Sequence, residues 1–203
     1  MEYVPDDPML VREERSVFER MFRAMEKVKE RLDRCCAALE AGDVPYALIG
    51  GNAVAAWVAT VDDGAVRATR DVDLLLQEED LERATAVLAA VGFERDRLME
   101  VTVFLDGPDG KPSQRIHILF AGQKVNDSYT SASPTVEQFK KIDDKRVVKL
   151  EELVRMKLNS YRRKDQTHLL DMIGVGLIDS TWPTRYDAVL GTRLQELLDD
   201  PDG

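Results

Sequence analysis

The run Arg70-Asp-Val-Asp-Leu-Leu-Leu76 constrains this chain more than any other segment. Side chains of a strand alternate between faces, so Asp71 and Asp73 project from one side. Val72 and Leu74–Leu76 are apolar enough for a buried strand, and a buried carboxylate pair is costly unless a cation neutralises it. About twenty residues upstream, Tyr46-Ala-Leu-Ile-Gly-Gly-Asn52 reads as another apolar strand, running into a glycine turn and a helix start. Free N–H groups and the helix dipole at such a turn favour an anion.

Hydrophobic spacing predicts the elements around these two strands. Residues 12–41 read as one helix, with Phe18, Met21, Phe22, Met25, Val28, Leu32, Cys35 and Leu39 at three-to-four spacing and Gly42 as its stop. That stripe is most simply the face packed on the domain; a partner-binding face is the other reading. Strand 46–50 precedes helix 51–60, and a loop turning at Gly64 precedes strand 71–76. Helix 78–91 ends at Gly92, and residues 93–97 lead into strand 99–105. The turn-rich run 106–112 makes a hairpin with strand 114–120. Residues 121–148 read as mostly loop, helices 149–164 and 166–176 divide near Lys164-Asp165, and a last helix covers 185–198. The order predicts an α/β (α+β) fold, a small mixed sheet flanked by helices. Its expected parts are an N-terminal helix (1–42), a core (43–148) and a helical C-terminal part (149–203).

Composition narrows the function classes. The 203 residues suit one domain, or one domain with a helical appendage, and no apolar run approaches the roughly 18 residues of a membrane span. The first residues lack the basic and apolar regions of a signal peptide, so a cytoplasmic protein with no membrane partner is expected. A net charge of −10 argues against a general nucleic-acid coat. Residues 124–164 are the exception, with eleven Lys/Arg against six Asp/Glu; they suit a polyphosphate or RNA, or simply a solvated helix face. Cys35 and Cys36 are adjacent in a helix and poorly placed to bridge, and are expected as one buried and one half-exposed thiol. No Cys/His set has zinc-site spacing.

The chemistry suited to the Asp pair is phosphoryl or nucleotidyl transfer, in which divalent cations neutralise phosphate charge and align the reacting groups. Mg²⁺ prefers oxygen ligands and keeps waters, so two Asp and substrate phosphates supply most of its shell. Taken alone, an Asp-x-Asp is also explained by solvated strand-end charges, and a Gly-Gly by an empty tight turn. The chain has no Gly-Lys-Ser/Thr phosphate loop and no Gly-x-Gly-x-x-Gly.

Tyr46-Ala-Leu-Ile-Gly-Gly-Asn-Ala-Val-Ala-Ala-Trp57 with Arg67-Ala-Thr-Arg-Asp-Val-Asp-Leu74 resembles the nucleotidyltransferase superfamily related to DNA polymerase β. Residues 149–171 resemble the helical pair of its minimal AbiEii-like branch, found in toxin–antitoxin and abortive-infection systems. The resemblance covers roughly residues 44–175. It implies a nucleotidyltransferase core that moves an NMP from an NTP to an acceptor. It implies Asp71 and Asp73 as ligands of Mg²⁺ (or Mn²⁺), and the NTP over Gly50 and Gly51. Asn52 stands where the family has Ser and still offers an amide to phosphate. The position of the family's third carboxylate carries His117, a poorer Mg²⁺ ligand but a competent general base. Lys157 is the candidate contact for the triphosphate or leaving group, with a surface lysine as the alternative. Arg67 and Arg70 flank the Asp strand, to touch phosphate or pair with the carboxylates. Asp165, His168 and Asp171 suit capping and interhelical pairing. The implied acceptors are a tRNA end, a protein side chain, or a small molecule such as an antibiotic; a cognate toxin or antitoxin is the implied partner. Because of His117, a catalytically weakened protein that binds a nucleotide or a cognate partner is the alternative.

Overall fold

A computed structural model describes residues 16–98, 101–108, 110 and 115–201. They form a seven-stranded mixed sheet in the order β3-β4-β5-β2-β1-β7-β6, with six helices around it. The strands are β1 (Tyr46–Ile49), β2 (Val72–Leu76), β3 (Phe93–Leu98), β4 (Val101–Asp106), β5 (Ile116–Phe120), β6 (Phe139–Ile142) and β7 (Lys145–Val148). The helices are α1 (Val17–Ala41), α2 (Gly50–Ala59), α3 (Leu81–Ala89), α4 (Leu150–Ser160), α5 (Arg163–Gly174) and α6 (Ala188–Asp199). β1 pairs in parallel with β7, and β2 with β5; the other neighbours are antiparallel. This is the α/β (α+β) architecture expected from the sequence.

The centre of the sheet is its driest part. In β2, Val72, Leu74 and Leu76 point to one face and Leu75 to the other, and all four are fully buried. Helices therefore cover β2 on both sides. All four residues of β1 are buried as well. The Ala-rich start of α2 packs against β1, β2 and β7, and Trp57 anchors it by donating its indole N–H to Val148 O at 2.9 Å. On α1, the buried Arg31 donates to Asp106 at 3.2 Å, and Arg34 pairs with the same carboxylate, which pins the helix to β4.

The helix predicted over 12–41 begins at Val17, and residues 12–15 lie outside the described residues. Ser16 caps it, accepting from Glu19 N–H while the Glu19 carboxylate accepts from Ser16 N–H. The expectation that the whole stripe packs on the domain is corrected. Cys35 and Leu39 are buried, whereas Val17, Phe18, Met21, Phe22 and Met25 are 50–69% exposed. Twenty-five residues make a helix about 37 Å long, and only its second half lies over the sheet. Both cysteines are buried and free, so the half-exposed thiol is also corrected. Burial pushes the Cys36 thiol up to about 11.

Other boundaries moved for identifiable reasons. Glu78–Asp80 form a 3₁₀ turn ahead of α3. The lead-in 93–97 is itself a strand, β3; only Phe93 in it is buried, so this edge strand carries no apolar alternation. Residues 99 and 100 of the predicted strand 99–105 lie outside the described residues, as do 109 and 111–114 around the predicted hairpin turn. β4 and β5 do pair antiparallel. The predicted loop 121–148 holds the hairpin β6–β7, whose charged edge residues hide the strand period. The division of the C-terminal helices falls at Tyr161, in a left-handed conformation at φ 44°, rather than at Lys164-Asp165. Asp187 caps α6 by accepting from Val189 and Leu190 N–H. Among the described residues no helix is long and apolar enough to cross a membrane.

The β6–β7 turn supplies a stability test. Asp143 and Asp144 both have positive φ (46° and 61°), the requirement of a two-residue hairpin turn that Asn-Gly meets with less strain. Replacing them by Asn and Gly is expected to stabilise the protein by about 0.5–1 kcal/mol, read as a raised urea midpoint at unchanged m value.

Candidate active site

The sheet register assembles the site. Ile49 pairs with Asp73, and Asp73 with His117, so the end of β1 and the starts of β2 and β5 lie in one row. Gly50 follows Ile49 as the first residue of α2, with φ +67°. A Cβ there would sit 2.0 Å from Asp73 Oδ2, so Gly50 is required by both backbone conformation and space. The Asp73 carboxylate thus lies directly against the turn. A Cβ on Gly51 would meet Thr69 Oγ1 at 2.6 Å, so the second glycine is also closely packed, though less so than Gly50.

Gly50, Gly51, Asp71, Asp73, His117 and Lys157 line a common cleft of about 360 Å³. His117 Nδ1 lies 3.4 Å from Asp73 Oδ1. The hydrogen bond to Asp73 holds the imidazole above its ordinary value, against the opposing effect of burial. Lys164 Nζ lies 3.3 Å from Asp71 Oδ2. Lys157 is buried rather than a surface lysine, and donates to Asp165 Oδ1 at 3.0 Å. Burial lowers the Lys157 ammonium, and the Asp165 charge offsets part of that. Burial alone would raise Asp165, but Arg162, Lys157 and Ser160 outweigh it and hold the carboxyl at about 2.

Three expected nucleotide contacts stand elsewhere. Asn52 donates its amide to Asp71 O at 2.6 Å, tying α2 to the start of β2. Arg67 makes a two-pronged pair with Asp171, 2.9 Å for each bond. Arg70 is exposed. None of the three is among the residues lining the cleft. The capping and interhelical pairing expected here is present for Asp165. Asp171 instead pairs with Arg67 of the loop before β2, and His168 packs beneath the glycine turn, its Cε1 3.5 Å from where a Gly51 Cβ would be.

Arg162, Lys164, Tyr129 and Asn159 also line the cleft and were not singled out in the sequence. The basic triplet 162–164 was visible as charge, but nothing local indicates which members turn inward. Asn159 holds the 129–133 loop against α4, accepting from Thr130 N–H at 3.0 Å and donating to Ser131 Oγ at 2.8 Å.

The donor set fits a hard divalent cation that is completed by its substrate. Asp71 and Asp73 are 39% and 24% exposed and open into the same cleft, beside the Gly50-Gly51 turn. No group of three or more His, Cys, Asp and Glu forms a metal cage among the described residues. Two carboxylates would leave positions for phosphate oxygens and water, as Mg²⁺ requires.

No protein-family model matches the sequence, and no curated protein matches it. Solved structures do. The lincomycin-bound lincosamide antibiotic adenylyltransferase LnuA aligns with a TM-score of 0.51 at 14% identity, over 72% of this chain and 96% of that one. The antibiotic-resistance factor ANT(2'')-Ia aligns at 0.49 and 14%, over 82% and 96%. JHP933 from Helicobacter pylori aligns at 0.49 and 16%, over 89% and 76%. At such identity the likeness to LnuA concerns the fold alone, which this chain shares with that adenylyltransferase.

Two tests follow from the geometry. Gly50→Ala is expected to cost at least about 1–2 kcal/mol of stability from the positive φ alone, with a further loss from the Asp73 contact. Adding Asp73→Ala should recover part of that further loss in a double-mutant cycle of chemical denaturation. His168 is pushed down to about 4, first by burial and then by Lys157 and Lys164. A folded value below the ordinary 6.5 means that the unfolded chain binds more protons between the two, so this contribution is present above pH 6.5 and lost as pH falls toward 4. Removing the imidazole by His168→Gln should flatten the stability–pH curve in that window by on the order of 2 kcal/mol.

Proposed function

We propose that this chain is a divalent-cation-dependent nucleotidyltransferase, which joins the NMP of an NTP to an acceptor and releases pyrophosphate. The observation that supports the reading is the contact of Gly50 with Asp73: the glycine turn that opens α2 lies against this carboxylate, in a cleft that Asp71, Lys157, Arg162 and Lys164 also line. Asp71 and Asp73 would hold Mg²⁺ or Mn²⁺, which supplies charge neutralisation at the reacting phosphate. The Gly50-Gly51 N–H groups bind phosphate through the start of α2. Lys157 and Arg162 add positive charge, and Asp165 holds both in place. His117, paired with Asp73, would take the acceptor proton.

The acceptors that suit this reaction are a tRNA end, a protein side chain, or a small molecule of the kind named for the lincosamide adenylyltransferase. The AbiEii-like branch and a toxin–antitoxin role rest on the resemblance of residues 149–171. The exposed apolar stripe of α1 offers a surface that suits a cognate partner. His117 in place of a third carboxylate also favours a second reading, a catalytically weakened protein that binds nucleotide or partner.

Pyrophosphate release with pooled NTPs and pooled RNA, protein and antibiotic acceptors separates the two readings. Transfer is expected to fall at least about a hundredfold in Asp71→Asn/Asp73→Asn, the scale of losing charge stabilisation at the reacting phosphate. Cation-dependent NTP binding without pyrophosphate release would favour the second reading. Undiminished binding of NTP and cation by the double variant would overturn the site itself.

A further inference from the structure

We infer that Lys164 is the resident counter-ion of Asp71, displaced by an arriving divalent cation and handed to the polyphosphate that comes with it. The inference rests on the site assignment above and gives α5 a part in coupling the two ligands. Lys164 is the second residue of α5, where the positive end of the helix dipole disfavours a cation. Its ammonium is nevertheless placed across the cleft, 3.3 Å from Asp71 Oδ2. The other charged groups lining the cleft are already matched. Asp165 serves Lys157 and Arg162 together, and His117 faces Asp73. Lys164 is thereby the cation assigned to the first carboxylate of the pair.

The two partners differ from the Lys157–Asp165 pair in one decisive respect. Lys157 and Asp165 are buried and fixed, whereas Lys164 is 54% exposed and Asp71 39% exposed. An exposed ion pair contributes little to stability and exchanges partners readily. A divalent cation on Asp71 would stand beside the ammonium, and like charges repel. The long lysine side chain can swing away at small cost, and a triphosphate over the Gly50-Gly51 turn provides a new anion within the same cleft. Cation alone must therefore dislodge Lys164 without compensation. Cation and polyphosphate together exchange one ion pair for another, so each strengthens the other's binding, and by linkage the coupling is reciprocal.

The consequence is a pair of effects with opposite signs. Lys164→Gln should bind Mn²⁺ alone about two- to fivefold more tightly, the range an exposed pair supports. The same variant should bind inorganic tripolyphosphate, without metal, about two- to fivefold more weakly. Lys164→Arg, which keeps the charge, should resemble the native protein in both. Mn²⁺ binding is read by the loss of the free-ion electron paramagnetic signal, and tripolyphosphate binding by calorimetry, so neither readout depends on turnover. A lysine with only a structural role would weaken both ligands or neither, and either result overturns the inference. If Lys164→Gln behaves as native while Asp71→Asn loses Mn²⁺, the site stands and the counter-ion role fails. If Asp71→Asn and Asp73→Asn both keep native Mn²⁺ affinity, the site assignment falls and the inference falls with it.

Discussion

The contact between Gly50 and the Asp73 carboxylate is the constraint on which the site depends. It occurs because β1 and β2 pair antiparallel with Ile49 opposite Asp73, so the chain leaving β1 must turn over that side chain. Only a residue without a Cβ, in a left-handed conformation, clears the carboxylate. α2 then starts at once, its first two residues lining the cleft, and is fastened to the start of β2 through Asn52. The parallel neighbour β5 extends the row to His117. Backbone pairing of three strands therefore positions the turn, the carboxylate and the imidazole before any side-chain interaction acts.

The helical C-terminal part closes the other wall, and its polar chemistry is arranged around one buried carboxylate. Asp165 accepts from Lys157, Arg162 and Ser160, which reconciles a nearly inaccessible charge with its surroundings. The left-handed Tyr161 ends α4 and lets α5 begin two residues later, so that Lys157, Arg162 and Lys164 all reach one cleft. His168 fills the space below Gly51, where burial and the charges of Lys157 and Lys164 favour the neutral ring. Two unlike devices thus hold cations in the cleft, a buried fixed pair and an exposed exchangeable one.

Much of the frame was legible because the central elements are buried on both sides. β1, β2 and α2 appear as apolar runs bounded by glycine and aspartate, and the structure reproduces them within a residue or two at each end. Gly50, Gly51, Asp71, Asp73, His117 and Lys157 could be picked out from residue type, spacing and resemblance, and they share one cleft. β3 and the β6–β7 hairpin were illegible for the opposite reason: exposed edge strands need no apolar alternation, and charged residues there obscure the period. The apolar stripe of α1 misled for a further reason, since helical periodicity records an apolar face without recording whether anything covers it.

What the sequence by itself determined was the central β–turn–α unit, the identity of the carboxylates beside it and the mixed α/β class, all encoded in short-range patterns. What only the tertiary structure decided was partnership. Arg67 and Lys157 are both basic candidates for the same site in the linear chain, yet one pairs with Asp171 outside the cleft and the other is buried within it. Lys164 lies 93 positions from Asp71, and no local signal announces their pairing. Charge type is a property of the residue, but its counter-ion is chosen by which helix the fold brings across the sheet.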